Sequence, residues 1–111
     1  MQIQPPIINI FEKAVRKASK ALLRDFGEIE NLQIESKNVG DFVTNADLKT
    51  EKILLETLKY YYPKATFITE ESGTILGDKE LIVIDPIDGT TNFLHGIPFI
   101  GIVVSRIFNN L

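Results

Sequence analysis

The chain has 111 residues, 44% hydrophobic and 24% charged, which suits one small folded domain and excludes two domains or a disordered chain. Its net charge of −3, from 12 basic and 15 acidic residues, argues against a dedicated nucleic-acid surface. Cysteine is absent, so disulfides and thiolate metal sites are ruled out. Met1 to Pro6 lacks a basic stretch leading into an apolar core, so it does not read as a signal peptide. The longest apolar stretch, Ile97 to Val104, is interrupted by Pro98 and Gly101 and is far short of the ~20 residues of a membrane span. A soluble, cytoplasmic protein that neither enters membranes nor binds nucleic acid is expected.

Phe11, Ala14, Val15, Ala18, Leu22 and Phe26 recur at steps of three and four and predict a helix over 7–26. Pro5 and Pro6 precede it and Gly27 stands where it would end. Leu32 to Ser36 alternates as a short strand, and Asn38-Val39-Gly40-Asp41 reads as a turn. A second helix is predicted over 44–61, with Leu48, Ile53, Leu54 and Leu58 on one face and Pro63 as its stop. Strands are expected over 65–69 and 81–84, the latter without alternation and so buried on both faces. A short helix over 90–94 and a strand over 99–107 complete the order. Helix, strand, helix and then several strands indicate a layered α/β or α+β sandwich, one domain over 1–111. The last strand has no covering element after it, and its free edge points to an incomplete domain or a second copy as partner.

The chemistry concentrates in Asp85-Pro86-Ile87-Asp88-Gly89-Thr90-Thr91-Asn92, directly after the apolar run Leu81 to Ile84. Carboxylates, carbonyls and waters are the ligands that Mg²⁺ prefers, and backbone N–H groups at a glycine turn suit a phosphate. Asp-Pro or Asp-Gly alone would read as a turn. Together, after a buried strand, they read as acids held near one another by a cation. An EF-hand loop is excluded because, counted from Asp85, glycine falls at position 5 and not 6. Haloacid-dehalogenase chemistry is excluded because Pro86 stands where its nucleophilic Asp would be. Glu70 and Glu71 follow another strand, and neighbouring strands would bring Glu70 to Asp85. Asp47, three residues after Thr44, has a plain reading as half of a capping box. Thr90 is a helix N-cap or orients a water. His95 reads as a turn residue, and Tyr60-Tyr61-Tyr62 as core and rim.

Asp85 to Phe93, preceded by Ile68-Thr69-Glu70-Glu71-Ser72-Gly73 and by Asp41 to Asp47, resembles the inositol monophosphatase family, in its bacterial extragenic-suppressor branch. The resemblance covers the chain but only the N-terminal portion of a typical member. It implies the layered sugar-phosphatase fold and Mg²⁺-dependent hydrolysis of a phosphate monoester by water, without a covalent intermediate. Carried over, Glu70, Asp85 and the Ile87 carbonyl would bind one metal, and Asp85 and Asp88 a second, among the two or three Mg²⁺ ions of an intact site. Thr90, supported by Asp47, would orient the attacking water, with Glu70 assisting. Ile87, Asp88, Gly89 and Thr90 would line the phosphate. The substrate would be inositol monophosphate or a similar sugar phosphate, with lithium as an inhibitor. The family's further Asp ligand, in a Trp-Asp-x-Ala-Ala-Gly-like motif, has no counterpart here, so weak or no turnover is expected of these residues alone. A homodimer or a missing C-terminal half would complete the site. Rival expectations are a nucleotide 3′-phosphatase, a fructose-bisphosphatase relative, and a non-enzymatic protein associated with transcription or RNA processing.

Overall fold

A computed structural model describes residues 6–29, 31 and 38–107. Helix α1 runs Pro6–Gly27, within a residue of its predicted ends at both termini. Proline at its first position has no N–H to leave unsatisfied. Helix α2 runs Val39–Tyr61 and begins five residues before its predicted start. The segment 38–41 is therefore a helix N-terminus and not a turn. Asn38 caps it, accepting from the Asp41 N–H at 3.1 Å and donating from Nδ2 to the Asp41 carboxylate at 2.9 Å. The strand predicted over 32–36 lies outside the described residues.

The strands are β1 (Thr66–Thr69), β2 (Thr74–Ile75), β3 (Leu81–Asp88) and β4 (Gly101–Ile107), with the short helix α3 (Thr90–Leu94) between the last two. They form one mixed sheet in the order β2-β1-β3-β4. β1 and β3 are parallel, and β2 and β4 pair antiparallel on either side. β2 was not foreseen in the sequence. β3 continues four residues beyond its predicted end because β4 keeps pairing with it.

Both long helices cover one face of the sheet. Ala14 and Ala18 let α1 close on α2, and Leu54 and Leu58 meet Phe67, Ile82 and Ile84 from the sheet. A second cluster joins Leu22, Ile29, Val43 and Ala46 to Ile87 and Phe93, with Phe26 edge-on to Phe93 at 5.5 Å. That cluster anchors the residues on either side of Asp88-Gly89-Thr90. The other sheet face has no helix over it among the described residues. There Leu81 and Val83 are half-buried and Ile68, Val103 and Ile107 are exposed. Leu81 to Ile84 is thus fully buried on one face only, contrary to the sequence expectation. Leu48, predicted for the buried face of α2, is 45% exposed.

Candidate active site

The register of the parallel pair creates the site. β1 and β3 are matched from Thr66–Leu81 to Thr69–Ile84, so the next residues, Glu70 and Asp85, leave the ladder side by side. The two side chains line the same shallow depression of about 280 Å³, together with Ile68, Thr69, Val83 and Ile84. Burial, then the Asp85 charge, helps to raise the Glu70 pKa.

Beyond Ile84, β3 pairs with β4 alone. Proline is tolerated here because Pro86 has passed the last rung shared with β1. Asp85 lies opposite Val103 and Asp88 opposite Gly101, with a bulge between them. In a regular strand, residues three apart point to opposite faces. The extra residue corrects that parity and aligns both aspartates with one face of β4. Asp85 and Asp88 are therefore strand residues at a bulge, not members of a turn. Asp88 is exposed, whereas Asp85 Oδ1 is buried without a hydrogen-bond partner.

Asp47 comes from the middle of α2. Because the helix starts at Val39, Thr44 is not its N-cap, and its hydroxyl donates to the Gly40 carbonyl at 3.1 Å. The capping-box role of Asp47 falls with that start. Its side chain is buried, and its Oδ1 has no partner. Burial, then the charges of Glu70, Glu71, Asp85 and Glu51, pushes its pKa up to about 6. Partial desolvation, then Asp85 and Glu71, raises Glu70 as well. Asp47, Glu70 and Asp85 therefore form one electrostatic unit of like charge.

Sequence reasoning missed Glu51, one turn after Asp47 and 2% exposed. Its Oε1 accepts from the Glu71 N–H at 3.1 Å and its Oε2 from the Ser72 hydroxyl at 2.6 Å. The Ser72 N–H in turn donates to Thr69 Oγ1 at 3.0 Å. Thr50, beside it and fully buried, has an unpartnered hydroxyl. A usable signal was present: like charges at i and i+4 repel on a solvated helix, so Asp47 with Glu51 is a costly pair unless both face a site.

At the other side, Gly89 caps α3 from the left-handed region at φ 89°. A side chain there would be strained, and its Cβ would fall 2.7 Å from the Phe99 carbonyl. Thr90 is the first helical residue rather than the N-cap, and its hydroxyl donates to the Ile87 carbonyl at 3.1 Å. That bond commits the threonine proton and leaves its oxygen as an acceptor. His95 is exposed in the following turn.

The donor set is made of carboxylate and carbonyl oxygens, the choice of a hard divalent cation. Two buried, unpartnered carboxylate oxygens, on Asp47 and Asp85, fit such an ion. Among the described residues, however, no three acidic or histidine side chains converge as a ready-made metal cage.

The profile of the inositol monophosphatase family matches residues 4–109. The chain belongs to the inositol monophosphatase family. An inositol-1-monophosphatase of Rhizobium meliloti is 46% identical over 101 residues, 89% of this chain and 38% of the relative. A Nus factor SuhB of Vibrio cholerae is 41% identical over 102 residues, 90% of this chain and 38% of the relative. Among solved structures, the extragenic suppressor protein suhB of Bartonella henselae superposes with a TM-score of 0.78 and 38% identity, over 92% of this chain and 39% of that one. The chain thus spans about two-fifths of the length of the relatives it matches. These neighbours confirm the sandwich fold expected from the motifs. Among the described residues no helix is long and apolar enough to cross a membrane.

Proposed function

We propose that this chain supplies the metal- and water-handling part of a Mg²⁺-dependent phosphate monoester hydrolase acting on inositol monophosphate or a similar sugar phosphate. The observation that carries the reading is the strand register that sets Glu70 beside Asp85, with the unpartnered Asp47 carboxylate in the same electrostatic unit. Glu70, Asp85 and the Ile87 carbonyl would hold one ion, and Asp85 with Asp88 another. When bound, Mg²⁺ neutralises charge on the phosphate oxygens and lowers the pKa of a neighbouring water. Glu70 and Asp85, as like charges at close range, give that cation its electrostatic reward. The Thr90 oxygen, its own proton held by Ile87, accepts from the attacking water and orients it, with Asp47 in support. The backbone at Gly89 and Thr90 approaches the phosphate where no side chain stands in the way.

The chain spans about two-fifths of its relatives, and on this reading the remaining ligands and the sugar pocket are assigned to a C-terminal half or a second copy. A cytoplasmic site of action and lithium sensitivity belong to the same proposal. The test is Mg²⁺-dependent phosphate release from inositol 1-phosphate by the parent and by Asp88→Asn, with fructose bisphosphate and a 3′-phosphonucleotide as competing substrates. Release abolished in Asp88→Asn supports the reading, and unchanged turnover removes it.

A second reading has one specific support: relatives named Nus factor match about as closely as those named phosphatase. It makes the chain a binding protein of the transcription machinery. RNA binding with a steep salt dependence would favour it; the net charge of −3 does not.

A further inference from the structure

Glu51 is a carboxylate at 2% exposure, and the hydrogen bonds it accepts come from a backbone amide and a hydroxyl, not from a cation. Burying a charge on those terms costs stability, and a leucine would serve the core of α2 better. Its partners lie in the four residues linking β1 to β2, the loop that carries Glu70. Glu70 itself is exposed and is not held by its own packing. What holds the loop is a chain of bonds. Glu51 takes the Glu71 N–H and the Ser72 hydroxyl; the Ser72 N–H takes Thr69 Oγ1; and the Thr69 N–H donates to the Gly73 carbonyl at 2.8 Å. Both oxygens of one rigid, helix-borne carboxylate thus grip the two residues after Glu70.

We propose that Glu51 is a positioning residue. From α2 it clamps the Glu71 backbone N–H and the Ser72 hydroxyl, and so fixes the Glu70 carboxylate beside Asp85 for cation binding. The second half of this statement rests on the metal reading above; the clamp does not. Charge-assisted bonds to a carboxylate are about twice as strong as neutral ones, which explains why an acid serves here. Outer-shell partners of this kind typically change metal affinity about 10- to 100-fold when removed.

The experiment uses the whole chain and two readouts: ¹⁵N relaxation of the Glu70 to Ser72 amides without added cation, and Mn²⁺ affinity from the paramagnetic resonance of free Mn²⁺. Glu51→Ala is expected to mobilise the three amides and weaken Mn²⁺ about 10- to 100-fold. Ser72→Ala, which leaves every charge in place, should do the same to a smaller degree, and the two changes should be less than additive together. Glu51→Gln offers an oxygen to the Glu71 N–H and an amide to the Ser72 oxygen, so it should stay closer to the parent than Ala. Ile53→Ala, half-buried on the same helix, serves as a control of lowered stability with the loop and affinity intact. Loop amides as ordered in Glu51→Ala as in the parent would overturn the clamp. A loosened loop with unchanged Mn²⁺ affinity would overturn its role in the site, as would Gln falling as far as Ala, since charge alone would then act. If the parent binds no Mn²⁺, the metal reading fails, while a loosened loop in Glu51→Ala still upholds the clamp.

Discussion

The two halves of α2 turn the same buried face to very different surroundings. Toward its C-terminus, Leu54 and Leu58 are fully buried against Phe67 and Ile82. Toward its N-terminus, the same stripe carries Asp47, Thr50 and Glu51, with unpartnered oxygens on Asp47 and Thr50. An uncompensated buried polar group costs about 1–3 kcal/mol, so the second half gives up stability that the first supplies. The contrast separates what makes the chain fold from what it is folded to hold. Substitutions in the two halves should therefore move stability in opposite directions.

The largest effect is expected in the apolar half. Leu58→Ala removes a fully buried side chain from the main cluster and should cost about 2–5 kcal/mol, seen as a lowered denaturant midpoint. A loss under 1 kcal/mol would mean that the helix–sheet contact is not the stabilising core.

In the polar half the sign reverses. Asp47 has its pKa raised to about 6 by burial and by Glu70, Glu71, Asp85 and Glu51. The folded state then binds the proton more tightly than the unfolded chain. Its contribution is intact below the unfolded carboxylate range and is lost as pH rises toward about 6. Asp47→Asn should stabilise the cation-free chain at pH 7 by up to about 3 kcal/mol and have no such effect at pH 3. Millimolar Mg²⁺ should shrink the gain, because it stabilises the parent's acids. Urea titrations at the two pH values decide it; equal midpoints of parent and variant at pH 7 would show that the acid is not under strain.

Parts of the fold and of the candidate site were legible in the residues. The acids after two strands and the glycine turn marked the candidate site, and the period of α1 marked its buried face. Three things were not. Two segments look alike as helix starts, Asn38 to Asp41 and Thr44 to Asp47, and Val39-Gly40 disguises the first as a turn; only the closed Asn38–Asp41 cap decides between them. Pro86 looks like a strand stop, yet beyond the last rung with β1 its missing N–H costs nothing on that side, so β3 continues. Glu51 escaped because a pattern that counts apolar residues cannot see a buried face that is polar.

A smaller effect is expected at the glycine turn between β3 and α3. Gly89→Ala places a Cβ in the left-handed region and against the Phe99 carbonyl. It should cost at least about 1–2 kcal/mol and weaken any phosphate or substrate affinity, while leaving Mn²⁺ affinity close to the parent's. Equal stability would show that the 96–100 segment yields easily.

The smallest effect tests the stripe itself. Apolar spacing groups Leu48 with Ile53, Leu54 and Leu58, whereas the buried residues are Val43, Ala46, Asp47, Thr50, Glu51, Leu54, Leu55, Thr57 and Leu58. The two descriptions differ by a rotation of the helix that exchanges Leu48 for Asp47 and Glu51. If the acids truly hold the inward positions, Leu48→Ala should change stability by less than about 0.5 kcal/mol, as at an ordinary surface site. A loss of the size expected for Leu58→Ala would turn the helix back to its apolar stripe. It would also carry Asp47 and Glu51 out to solvent, and with them the positioning of Glu70.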